Sequence, residues 1–181
     1  MVWDINAPYK AESKKIVWDV APYLRGRGVD IGAGDFKVLP HVISVDNMHH
    51  AQFGFNVRPD VMVKSADKLL DVFAWESMDF VYSSHLLEHM EDPEKALKEW
   101  WGLVKQGGCM ILYLPHEDLY PKVGEEGANP DHKRVGAGVS ASVCLDREHD
   151  RAGGSEHGHN GADGSQGGSK GNPGLAEVHG D

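Results

Sequence analysis

The residues best suited to chemistry are two glycines set among acids. In Val29-Asp30-Ile31-Gly32-Ala33-Gly34-Asp35 a short apolar run ends at glycines two positions apart. With no Cβ in the way, such a turn lets backbone come close to a ligand. Open α/β sheets bind ligands at strand ends of this kind. A second apolar run ends in Val45-Asp46, where a carboxylate can accept hydrogen bonds from both hydroxyls of a ribose. A third leads to Ser65-Ala66-Asp67, where Asp67 can accept from an adenine amino group. Each feature has a plainer reading. The glycines can mark a tight strand-to-helix turn, Asp46 can be a solvated strand-end acid, and Asp67 can cap the helix that follows. Their occurrence in this order favours a nucleoside site.

These residues need elements to hold them. Helical spacing runs from Pro8 to Leu24, with Ile16, Val20 and Leu24 on one side. Strands are predicted over Gly28–Gly32, Val42–Asp46, Val61–Lys64, Met78–Ser83 and Cys109–Leu114. A short helix is predicted over Asp67–Phe73 and an amphipathic one over Pro93–Lys105. The second helix has Pro in its first turn and the Gly107–Gly108 pair as its stop. Apolar strands alternating with helices predict a parallel α/β sheet covered on both faces.

The order Asp30-x-Gly32-x-Gly34, Asp46, then Ser65-Ala66-Asp67 resembles the successive cofactor motifs of class I S-adenosylmethionine-dependent methyltransferases. Ser83-Ser84-His85-Leu86-Leu87-Glu88-His89 with Asp92-Pro93 is similar to the segment after the fourth strand in the type 11 methyltransferase-domain group. Leu103-Val104-Lys105-Gln106-Gly107-Gly108 resembles that group's approach to the fifth strand. The resemblance covers roughly residues 25–121. It implies a Rossmann-like, mostly parallel sheet with helices on both faces, and S-adenosylmethionine as cofactor. Gly32 and Gly34 would then approach the methionine part, and Asp30 would orient the turn or meet the ammonium. Asp46 would hold the ribose, with Asn47 and Met48 near the adenine. Ala66 and Asp67 would meet the adenine edge, and Ser83 or Ser84 would lie beside the cofactor. A small-molecule acceptor would receive the methyl group.

Two positions depart from the family pattern. Phe36 stands where a third glycine is common, so its side chain must point away or the turn must differ. The stretch between Asp46 and Asp60 is short for a full helix, so 47–59 is predicted to be a loop. A nicotinamide dehydrogenase would want a glycine at position 37, where Lys37 stands. His85-Leu86-Leu87-Glu88-His89 also fits H-x-x-E-H, a zinc pattern. The segment follows a strand directly and meets Asp92-Pro93, which disfavours a metal-binding helix. Of Trp100-Trp101, at least one is expected in the core rather than on a stacking platform.

A sulfonium methyl group is already electrophilic, so positioning an acceptor supplies much of the acceleration. A base is required only where the acceptor must lose a proton. His85, His89 and His116 are nearest in sequence, and His85 is the candidate catalytic residue. Pro115 to Pro121 would border the acceptor.

The net charge of −10 and the lack of a basic stripe argue against a nucleic-acid partner. Cys109 and Cys144 make neither a disulfide framework nor a zinc set. No apolar run reaches membrane-spanning length, and a cytoplasmic setting is expected. Every aromatic residue lies at or before Tyr120, and fourteen of the 22 glycines follow Lys122. Such a segment buries too little apolar surface to offset its ordering entropy. The expected organisation is an N-terminal helix over 1–24, a cofactor-binding domain over 25–123, and a largely disordered Gly-rich tail over 124–181. The family likeness stops at Arg134, and two closing strands are not legible beyond it. A truncated or frame-shifted ending is therefore expected, with an exposed sheet edge. It also keeps a second reading open, a module that binds the cofactor without transferring methyl groups, or an inactive remnant.

Overall fold

A computed structural model describes residues 11–49, 58–115, 126 and 143–146, the last four by their backbone. The elements in order are α1 (Ser13–Val20), β1 (Gly28–Ile31), β2 (Ile43–Asp46), β3 (Val61–Met62), β4 (Met78–Ser84), α2 (Pro93–Leu103), β5 (Val104–Tyr113) and β6 (Val143–Asp146). Short 3-10 turns cover Leu69–Asp71 and Leu87–His89.

The strands form one sheet in the order β3-β2-β1-β4-β5-β6. The first five are parallel, and β6 runs antiparallel to β5, with Met110 opposite Leu145. The chain order reverses between β1 and β4, so the carboxyl ends of those strands flank the crevice where open α/β sheets take ligands.

Side chains alternate across a strand, and β4 and β5 use both faces. Phe80, Tyr82 and Ile111 pack with Val17, Val20 and Leu24 on and just after α1. Val81, Met110 and Leu112 pack with Ala96, Trp100 and Leu103 of α2. Helices therefore cover both faces, as a Rossmann-like sheet requires, and α1 belongs to the same core as the strands. Trp100 is fully buried, and its Nε1–H donates to the Ala66 carbonyl at 2.8 Å.

Three elements differ from expectation. The helix α2 stops at Leu103 and β5 begins at the next residue, so Gly107–Gly108 does not end the helix. The pair instead lies in an irregular start of β5, where the register with β4 jumps from Met78↔Val104 to Phe80↔Cys109. A Cβ on Gly108 would come within 2.6 Å of the Asp79 carbonyl, which explains the glycine there. The predicted helix over Asp67–Phe73 is only the 3-10 turn Leu69–Asp71. Val143–Asp146 supplies one short strand within the Gly-rich segment, where composition alone suggests none. The rest of 124–181, apart from Glu126, and most of the predicted 47–59 loop lie outside the described residues.

Candidate functional site

The carboxyl ends of β1, β2 and β3 open into a cleft of ≈ 260 Å³. Small-ligand sites span roughly 300–1,000 Å³, so this volume is just below their range. Its floor is Ile31, Gly32, Val45 and Asp46, and Ser65, Ala66 and Asp67 form one wall. Leu86, His89, Met90 and Glu91 form another.

The chain reaches Gly32 at φ +77 and Gly34 at φ +57, both in the left-handed region that favours glycine. The two glycines serve different ends. A Cβ on Gly32 would lie 2.9 Å from Leu86, so that glycine makes room for the segment after β4. At Gly34 a Cβ would meet nothing within 4 Å, so the backbone faces open space there, although Gly34 does not itself line the cleft. The Gly32 N–H donates to the Val45 carbonyl at 2.8 Å and fixes the turn to β2.

Asp46 joins both sides of the cleft floor. Its Oδ2 accepts from the Gly34 N–H at 3.0 Å, and its Oδ1 accepts from the Met48 N–H at 2.7 Å. Each carboxylate oxygen has lone pairs left for a further donor. Met48, at φ +59, contributes its backbone to this arrangement and does not line the cleft. Asn47 does line it.

Asp30 is fully buried on β1. Its Oδ2 accepts from the Val38 N–H at 2.7 Å, which ties the glycine loop back to the strand. This is the turn-orienting role, and Asp30 does not line the cleft. Burial pushes its carboxyl up to about 7; the Val38 bond pulls the other way, and the charge of Asp46 adds to the rise. Nearby, burial also pushes the Tyr82 hydroxyl up.

Asp67 accepts from the Ser65 hydroxyl and from Lys95 Nζ, the latter at 2.8 Å. The Lys95 ammonium and the Ser65 hydroxyl hold its carboxyl below the usual range. It stands at the cleft as an anion, with its partner supplied by α2. No sequence signal marks Lys95, because the contact bridges two distant elements.

Ser83 is expected beside the cofactor, but its hydroxyl is buried and donates to the Ile31 carbonyl at 3.0 Å. It joins β4 to the end of β1 and does not reach the cleft. Phe36 points away from the cleft lining and is buried, with Lys14 Nζ 5.3 Å from its ring centroid. Lys37 crosses to Asp60 at 2.5 Å, and Asp60 also accepts from the N–H and hydroxyl of Ser44. These bonds pin the glycine loop to the start of β3.

His85 follows β4 at φ +50 and faces the β5 side rather than the cleft. Its ring meets Tyr113 edge-on at 5.2 Å, and its backbone N–H donates to the Tyr113 carbonyl at 2.8 Å. Glu12 and Glu88 approach its two ring nitrogens. His89 lines the cleft, whereas His116 lies outside the described residues. Among the described residues no three His, Cys, Asp or Glu side chains are grouped to hold a metal ion. Reasoning from motifs did not single out Met90 and Glu91, although they directly follow the Leu-Leu-Glu-His segment.

Whether a sulfonium nucleoside fits can be judged from these groups. The Asp46 carboxylate with lone pairs to spare at the end of β2, the Asp67 carboxylate on the cleft wall, and the open space beside the Gly34 backbone all suit it.

Residues 28–112 match the family described as "Methyltransferase domain". A SAM-dependent methyltransferase from Archaeoglobus fulgidus shares the fold with a TM-score of 0.54 at 20% identity, over 71% of this chain and 65% of that one. A SAM-dependent methyltransferase from Thermotoga maritima, described as a possible histamine N-methyltransferase, aligns with a TM-score of 0.44 at 28% identity, over 58% of this chain and 53% of that one. The chain thus spans less than two-thirds of the length of these two relatives. No curated protein sequence matches it. Residues 28–112 are thus similar to the methyltransferase-domain family, and the chain has the Rossmann-like fold seen in the Archaeoglobus fulgidus methyltransferase.

Proposed function

We propose that the domain binds S-adenosylmethionine in the cleft and transfers its methyl group to a small-molecule acceptor held beyond β4. The observation that carries this reading is the setting of Asp46. Backbone N–H groups from the glycine turn and from the next loop aim its carboxylate at the cleft floor. A ribose there would lie between Asp46 and the open turn at Gly34. The adenine would lie toward Asn47, Ala66 and Asp67. The sulfonium end would then point toward β4 and β5, the side on which His85 stands.

The bound cofactor would supply an electrophilic methyl group. The chain's own work is to position the acceptor, to exclude water and, for a protic acceptor, to take up a proton. His85 is proposed for the last task, because it is partly shielded and lies at the end of β4, next to β1 in the sheet.

The test is release of S-adenosylhomocysteine in the presence of small hydroxyl, amine and thiol acceptors. The reading expects acceptor-dependent release that falls at least about 100-fold in His85→Asn, the scale of general-base catalysis. Binding of the cofactor with no release for any acceptor class would count against transfer.

A further inference from the structure

We propose that Glu88 is a positioning residue that holds His85 in its Nδ1–H tautomer and leaves Nε2 as the basic nitrogen. The proposal deepens the reading of His85 above and rests on it. Glu88 lies three residues on, within the 3-10 turn Leu87–His89. Here Glu88 Oε1 comes to 3.4 Å from His85 Nδ1. The second carboxylate, Glu12 before α1, comes to 3.8 Å from Nε2. Tyr113, a further titratable neighbour, presents its ring at an interplanar angle of 73° and limits how the imidazole can turn.

The two carboxylates differ in exposure. The Glu88 side chain is 2% exposed and that of Glu12 is 35% exposed. A buried charge acts through a lower dielectric, whereas water screens an exposed one. Glu88 is also nearer. It therefore decides which nitrogen of the neutral ring carries the proton, and Nε2 is left on the side of the partly exposed Glu12. The distance is long for a finished hydrogen bond, but catalytic hydrogen bonds often tighten only when substrate is bound.

The backbone supports the same conclusion. A left-handed φ at a non-glycine residue is strained. At His85 the conformation is held by the bond to the Tyr113 carbonyl. It turns the chain sharply out of β4 and into the turn that brings Glu88 beside the ring. In the transfer step the acceptor's X–H bond would break, its proton passing to Nε2 while its electron pair bonds the methyl carbon. The C–S bond would break with its pair remaining on sulfur, leaving a neutral thioether and an imidazolium. Glu88 and Glu12 would face that cation from both sides.

The experiment is nitrogen NMR of the imidazole rings in the ligand-free full chain, with His85→Asn used to assign the signal. The result expected is a protonated Nδ1 and a bare Nε2 on His85. Glu88→Leu should move the proton to Nε2. Glu88→Gln, whose amide oxygen still accepts, should keep it on Nδ1, and Glu12→Gln should leave it there too. A wild-type ring protonated on Nε2 would overturn the proposal, as would an unchanged tautomer in Glu88→Leu. If the leucine variant does not fold, the wild-type and glutamine spectra decide. Because this readout needs no cofactor, it separates failure of this proposal from failure of the cofactor-binding reading.

Discussion

Asp30 and Asp46 lie on adjacent strands in opposite surroundings, one sealed in the core and one at the cleft. Burial of Asp30 has a consequence for stability. Its carboxyl is pushed up to about 7 from 3.8, so between those values the folded chain holds a proton that the unfolded chain has released. Stability therefore falls as pH rises through this window, by on the order of 4 kcal/mol in total. Asp60, Asp67 and Asp79 are held below the usual range, so their stabilisation is lost only as pH falls below about 4. Asp30→Asn imitates the protonated side chain and should flatten the decline. Chemical denaturation at pH 5 and pH 8 checks this: the wild type should lose more stability between them than the variant. The glycines offer a second comparison at this scale. Gly32→Ala meets both a left-handed φ and the Leu86 side chain, and should cost about 2 kcal/mol or more. Gly34→Ala meets only the φ and should cost about 1 kcal/mol. Denaturation midpoints that rank the two the other way would refute the division of roles between them.

At the scale of elements, α2 stabilises the sheet and also shapes the cleft wall. Asp92 caps it, with Oδ1 accepting from the Lys95 N–H at 3.0 Å. The same first turn carries the Lys95 side chain to Asp67. Asp92→Ala should lower stability by about 1 kcal/mol, the usual worth of an N-cap. A melting curve like that of the wild type would show the cap to be redundant. The amphipathic spacing with Pro93 in its first turn made this helix legible in advance, because such signals are local. The strands β1, β2 and β4 were legible for the same reason, as short apolar runs bounded by glycine, proline or charge. The start of β5 was not, since it depends on an irregular pairing with β4 that no local pattern encodes. The strand β6 was not legible either, because its pairing comes from the free edge of β5 rather than from its own composition. Gly32, Asp46, Asn47, Ala66 and Asp67 could be read as cleft residues because a motif order carries them. The burial of Ser83, the Lys95 partner of Asp67 and the two carboxylates around His85 come from contacts distant in sequence or from turn geometry.

At the scale of the molecule, the nucleoside cleft and the histidine lie on either side of the junction between β1 and β4. Both are at the carboxyl edge of one sheet. In the proposed reading the cleft takes S-adenosylmethionine through Asp46. No helix among the described residues is long and apolar enough to cross a membrane. The most direct test is calorimetric titration of the full chain with S-adenosylmethionine, beside an Asp46→Ala variant whose folding is confirmed by its melting curve. The account predicts saturable binding to the wild type and affinity at least tenfold weaker in the variant, a loss of about 1.4 kcal/mol or more. A folded wild type that binds nothing, or a folded variant that binds equally well, would contradict it.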